Sequence, residues 1–304
     1  MIKKFEQKQP GVIATTDLSS AKGCTLYWIF FAVLIIVAAI SIVPMIWTIA
    51  TAFKDTQEIY SSFCFFPKNL TFSKAWSRII EAWTALHLEK SILNTLVMSI
   101  GSLVFKLLVC GLGGYALSKI KPKGSKFIFV LVVWTMMMPY QIRMVPNYIT
   151  CLHFPFALDF NIGINLLDTY WPIWLGQCSD TFAVLLFKNA FDALSDSYVE
   201  AARIDGCSNL GIFFKIMVPL SMPTIIYVSI GVLIAAWSDF MGPLIYLSKN
   251  EVLPLRIYRL KSEPEIKMNT YFMALVFSCI PTFLIYALFQ KKIIGGVNVG
   301  GVKG

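Results

Sequence analysis

The chain has 304 residues, 57% of them hydrophobic and only 14% charged, with a net charge of +9. A soluble domain carries about a quarter charged residues, so this composition excludes an ordinary water-soluble fold and makes the bilayer the expected solvent. The positive balance does not indicate nucleic acid, because no basic stripe with interleaved aromatics is present; the bases gather beside apolar segments, as in cytoplasmic loops.

Six apolar stretches are long enough to cross about 30 Å of hydrocarbon, at roughly 20 residues each. A polar tail over 1–25 precedes the first, Leu26–Phe53, whose apolar run is too long for a signal peptide and reads as a retained helix. The second and third are Ile92–Leu117 and Phe127–Ile149. The fourth, Leu166–Phe187, is interrupted by Asp168, Pro172 and Gln177. The fifth and sixth are Pro223–Leu247 and Tyr271–Phe289, followed by a tail over 291–304. Hydrocarbon cannot satisfy free backbone groups, so the expectation is an all-α transmembrane fold, one six-helix domain over 26–290.

The loop Lys119–Lys126 carries four lysines in eight residues, which assigns it to the cytoplasm. With six spans, both termini then share that side. Cys151–Asn165, without Lys or Arg, falls outside. Two segments run against the charge rule. Lys54–Lys90 holds several bases, and Ser248–Thr270 carries Lys249, Arg256, Arg259, Lys261 and Lys267, yet both are assigned outside.

Seven scattered cysteines form no C-x-x-C and lie mostly in or beside apolar runs, where Cys acts as a small hydrophobe. With only His87 and His153, a zinc site is not expected. No nucleophile–base pair or carboxylate dyad is placed for catalysis. There is no G-x4-G-K-[ST] either, so the chain has no phosphate-cradling loop and no nucleotide cofactor of its own. Gly111–Gly114 reads as a close helix contact in the second span.

Between the fourth and fifth spans lies a short polar-amphipathic segment, Glu200–Pro219. Ser197 and Glu200 have capping-box spacing, which starts a helix near Tyr198. Asp205-Gly206 is a helix stop, and Ser208 or Asn209 caps a second helix ending before Pro219. Ala201 and Ala202 would leave a bare surface for a partner backbone, while Ile212, Phe213, Phe214, Ile216 and Met217 would anchor the second helix to the bundle. By pattern alone this could equally be an interfacial amphipathic helix without a partner.

The spacing Glu200-Ala201-Ala202, then Gly206, Ile216 and Pro219, resembles the E-A-A-x3-G-x9-I-x-L-P signature of permease subunits of ATP-binding-cassette importers. Val218 stands where Leu is usual. Asn94-Thr95-Leu96, Tyr115-Ala116-Leu117-Ser118, Met138-Pro139-Tyr140-Gln141, Trp237-Ser238-Asp239-Phe240 and the ending Val302-Lys303-Gly304 resemble the maltose-permease type of sugar importer, second subunit. The resemblance implies a pathway shared with a second permease. It also implies two separate ATPase subunits that hold ATP-Mg, an extracellular solute-binding protein, and a bacterial cytoplasmic membrane. Glu200, Ala201, Ala202, Asp205, Gly206, Ile216 and Pro219 would then form the cytoplasmic coupling helix that docks on an ATPase. The cargo would be a sugar, or a related polyol or glycerol phosphate.

Lys106 lies in the middle of the second span, where a cation either faces the pathway and a carboxylate, with Asp239 the candidate partner, or snorkels to the interface. Asp239 beside Trp237 reads either as a sugar-binding pair or as a structural hydrogen bond. Arg143 is expected to snorkel at the external end of its span, and Trp134, Trp171 and Trp174 to serve as interface or packing aromatics. Lys106 and Asp239 also keep open an autonomous secondary transporter or channel, although no inverted repeat with matching broken spans is visible. A membrane-embedded enzyme is disfavoured by the lack of paired catalytic residues.

Overall fold

The computed structural model describes residues 21–61, 64–155 and 163–296. The start of the N-terminal tail, part of the loop after the third span, and the V-K-G ending lie outside the described residues. Within them every regular element is helical, and Phe154 with Ile164 forms an isolated bridge.

Helix α1 (Ala21–Ala52) is followed by the short α2 (Thr56–Ser61) and the amphipathic α3 (Phe72–Ala85). Helix α4 (Leu88–Tyr115) runs on through a π-turn over Ala116–Ile120. Then come α5 (Ser125–Thr135), α6 (Tyr140–Leu152), α7 (Trp171–Cys178), α8 (Thr181–Asp192) and α9 (Ser197–Ile204). The bent pair α10 (Asn209–Leu220) and α11 (Met222–Ser238) meets at 84°. Helices α12 (Met241–Tyr246), α13 (Leu253–Leu260) and α14 (Met268–Gly296) complete the chain.

The first, second and sixth expected spans are continuous helices: Gly23–Ala52, Leu88–Ile120 and Met268–Gln290 are each long and apolar enough to cross a membrane. The other three each resolve into two shorter helices, for local reasons. In the third, Pro139 offers no N–H and biases Met138 away from helix, so α5 ends in a turn and α6 restarts at Tyr140. In the fourth, Asp180 is extended and its carboxylate accepts the Ala183 N–H at 3.2 Å, capping a fresh helix. In the fifth, Asp239 is extended and its Oδ1 accepts the Gly242 N–H at 3.1 Å.

Helix α4 is the central post, packed against α7, α8 and α11. Helix association in lipid lacks a hydrophobic drive and depends on close van der Waals fit. Gly114 supplies that fit: a Cβ there would lie 2.8 Å from the backbone nitrogen of Lys188 in α8. Trp174 lies flat against Gly101 and donates its Nε1 to the Met98 carbonyl at 3.1 Å, a packing role. Helix α1, by contrast, is exposed along most of its apolar length and buries only its end, at Ala50, Thr51 and Ala52.

The loops sort to two ends. At one end Lys267 pairs with Glu81 at 3.0 Å, Arg256 donates to the Ala85 carbonyl, and Ser248 N–H donates to Asp168 at 2.6 Å. This brings together the segments after α1, after α6 and after α12. At the other end Lys119 bonds the Leu194 carbonyl at 2.6 Å and pairs with Asp196. The bases that ran against the charge rule are largely paired: Arg256 with Glu263 at 2.6 Å, Arg259 with Glu251, and Arg78 with Asp55.

Candidate functional site

The segment over 200–219 folds into a helix–turn–helix at the Lys119 end. Helix α9 finishes in a Schellman motif: the Gly206 N–H reaches the Arg203 carbonyl at 3.1 Å and the Cys207 N–H reaches the Ala202 carbonyl at 2.9 Å. Gly206 sits at φ +78°, a conformation costly for residues with a Cβ, so the glycine of the signature is fixed by backbone geometry. Ser208 then caps α10, its Oγ accepting the Gly211 N–H at 3.1 Å.

Three local expectations differ in detail. The Ser197–Glu200 capping box does not form; Ser195 Oγ takes the Ser197 N–H at 3.3 Å, and Glu200 stays exposed. Pro219 does not end the second helix. Helix α10 runs on through Pro219 to Leu220, with a π-turn over Phe213–Met217 just before the proline, and the chain turns only at Ser221. The alanines are split: Ala201 is exposed, but Ala202 is buried among Val199, Phe191, Ile212 and Phe213. The outward face is therefore Tyr198, Ala201 and Ile204, the last 87% exposed, flanked by Glu200, Arg203, Asp205 and Leu210. An isoleucine so exposed on a capped helix presents apolar area to whatever meets this end.

The inward face locks the segment to the bundle. Met217 and Ile212 are fully buried, Ile216 packs beside them, and Phe213 contacts Tyr115 of α4 at 5.5 Å between ring centres. Polar ties reinforce this: Ser118 donates to Asp192 at 2.6 Å, Lys188 pairs with Asp192 at 2.6 Å, and Lys119 holds Leu194 and Asp196. The Lys119 hydrogen bond, and then its charge, keep the exposed Asp196 carboxyl below the usual carboxylate range. These contacts fasten the surface helix to the end of α4.

A second feature lies where the broken helices interrupt. A cavity of about 670 Å³ opens among the α5/α6, α7/α8 and α11/α12 breaks. Its lining includes Lys106, Arg143, Asn147, Gln177, Asp180 and Asp239. Lys106, with its side chain 10% exposed, pairs with Asp180 at 2.7 Å rather than with the expected Asp239. Lys106 and Asp239 do share the cavity, but Asp239 spends one oxygen on the Gly242 N–H. Trp237 is not brought there. It is buried against Leu86, Leu253 and Ala274, and its Nε1 donates to the Ser278 carbonyl at 3.2 Å. Arg143 is half-buried on the cavity wall instead of snorkelling, and its Nε has no hydrogen-bond partner among the described residues. Asp180 and Arg143 are the residues that sequence reasoning did not assign to this site. Asp180 had a readable signal as a cap before the apolar run Thr181–Phe187, but nothing local announced its pairing with a lysine 74 positions earlier.

A family model described as "Binding-protein-dependent transport system inner membrane component" matches residues 108–295. The "Arabinooligosaccharides transport system permease protein AraQ" of Halalkalibacterium halodurans is 30% identical, across 92% of this chain and 97% of the relative. Among solved structures, the chain resembles one from a bacterial ATP-binding-cassette transporter involved in import of the acidic polysaccharide alginate. That match has a TM-score of 0.74 and 24% identity, covering 90% of this chain and 98% of the other. A second, from a bacterial alginate transporter in complex with a periplasmic protein bound to alginate pentasaccharide, gives a TM-score of 0.64 and 16% identity over 94% and 99%.

Proposed function

This chain belongs to the family of inner membrane components of binding-protein-dependent transport systems, and from that membership we propose how it works. It is a permease subunit of an ATP-binding-cassette importer for a carbohydrate, forming half of the membrane pathway with a second permease. Two separate ATPase subunits hold ATP-Mg and hydrolyse it; an extracellular solute-binding protein delivers the cargo. Both termini and the α9–α10 segment face the cytoplasm of a bacterial cell, and the broken helix pairs cross the membrane as interrupted spans. The carbohydrate class is supported by the relative named for arabinooligosaccharides and by the alginate-importer likeness in fold.

The observation that carries the coupling role is the two-faced surface segment. Its outward side offers Tyr198, Ala201 and Ile204 to an ATPase groove, while its inward side is packed and ion-paired onto α4 and α8. ATP-driven closure of the ATPases would push on a rigid, doubly capped lever and rock the helices around the cavity. Gly206, Ile216 and Pro219 act here by shaping the lever, Glu200 and Asp205 by flanking its outward face, and Lys106 and Asp239 by lining the pathway.

The test is Ala201→Cys on a background with the native cysteines replaced, in the assembled importer. The expected result is a crosslink to a copurified ATPase subunit that changes with ATP. Labelling of Ala201→Cys by an impermeant external thiol reagent in intact cells would overturn both the orientation and the coupling role.

A further inference from the structure

Four charged side chains line the cavity: Lys106, Arg143, Asp180 and Asp239. The protein itself occupies three of them. Lys106 and Asp180 pair at 2.7 Å, and the other Asp180 oxygen caps α8. Asp239 accepts the Gly242 amide. The Arg143 guanidinium makes no hydrogen bond or ion pair among the described residues, and its Nε is sealed from solvent. A guanidinium on a cavity wall without a partner calls for an explanation. The guanidinium presents a planar fork of donors matched to carboxylate or phosphate oxygens. Asn147 and Thr150 follow Arg143 at helical spacing on α6 and also line the cavity, so hydroxyl-binding groups stand along the same wall. A volume of about 670 Å³ suits a small ligand of several rings.

We infer that the cavity takes an anionic carbohydrate, and that Arg143 is the specificity-determining residue that receives its negative group. This rests on the importer reading above and names the substrate class of that site. Carboxylate on a uronic acid and phosphate on a polyol offer the same chemistry to the fork.

The experiment reconstitutes the importer with its partner permease, ATPases and binding protein in proteoliposomes. It is supplied with a mixture of neutral oligosaccharides, uronate-bearing oligosaccharides and glycerol phosphate, and the lumen is read by mass spectrometry after ATP is added. A charged class should accumulate over the neutral one by about tenfold or more, and which charged class it is separates carboxylate from phosphate. Arg143→Gln should lower the charged-to-neutral ratio about tenfold, and Arg143→Lys should retain part of it. Preferential loading of neutral sugars by the unmodified protein, or an unchanged ratio in Arg143→Gln, would overturn the proposal and leave the importer reading intact. Should Arg143→Gln fail to assemble, the ratio for the unmodified protein decides alone. Absence of any ATP-driven carbohydrate uptake would remove the importer reading itself, and this proposal with it.

Discussion

The α9–α10 lever and the cavity are both polar interruptions in an apolar chain, yet they are held together over different distances. The lever's turn and caps close over three to five residues: Gly206 to Arg203, Cys207 to Ala202, Gly211 to Ser208. The cavity closes over 74, from Lys106 to Asp180. Local bonds form wherever the right residue types stand at the right offsets, so they can be altered one at a time. A long-range pair in a low-dielectric site ties two helices, and removing one member strands the other.

The largest effect expected from this difference is in the cavity. Lys106→Met leaves Asp180 without its cation and should cost about 3 kcal/mol; this is the lower end for a broken buried pair, because the carboxylate side is 32% exposed. Adding Asp180→Asn keeps an N-cap for α8 and removes the stranded charge, so the double variant should recover much of the loss. Thermal melts of the purified complex in detergent compare the two. A double variant no more stable than the single one would mean that the pair is not the tie described here.

In the lever the effect should be smaller and more local. Gly206→Val forces a β-branched residue to φ +78° and should cost about 1–2 kcal/mol, spread over α9 and its turn. Gly206→Asn, which tolerates that conformation, should be milder. The informative readout is sugar moved per ATP hydrolysed, which should fall in the valine variant more than the melting temperature suggests. Wild-type coupling in Gly206→Val would show that the lever does not depend on its Schellman turn.

The smallest effect concerns the Lys119–Asp196 tie, whose carboxylate side is exposed. Since Lys119 holds the Asp196 carboxyl below its ordinary range, the tie is fully present above the unfolded carboxylate pKa and is lost only as pH falls through the lowered value. Coupling should therefore stay flat through neutral and mildly acidic pH as far as this tie is concerned. Asp196→Asn should lower coupling slightly at all these values and remove the acid limb. A titration of coupling near neutral pH that vanishes in Asp196→Asn would contradict this.

The same contrast of range explains what was legible beforehand. The uninterrupted crossings at α1, α4 and α14 follow from apolar runs alone, because lipid leaves a long apolar segment no alternative to a helix. The Gly206 stop and the Ser208 cap were readable for the same local reason. The Ser197–Glu200 box was not, because Ser195 competes for the Ser197 amide. Ala202 was misjudged as surface because its burial is set by Phe191 and Phe213, which arrive from other helices. Trp237 and Asp239, neighbours in sequence, part at the end of α11: one turns to Ser278, the other to the cavity.

Composition, apolar runs and the spacing around Glu200 determined by themselves that this is a helical membrane protein with a polar, helix-forming segment between its apolar ones. The tertiary structure alone decided that three predicted spans break where Pro139, Asp180 and Asp239 stand, that the breaks meet in one cavity, that Lys106 answers Asp180, and that Arg143 lines the cavity without a partner among the described residues. The physical reason is range. Solvent choice, capping and turn geometry are set by residues within a few positions of each other, whereas partners of a buried charge are set by which helices pack, and that is a property of the whole bundle.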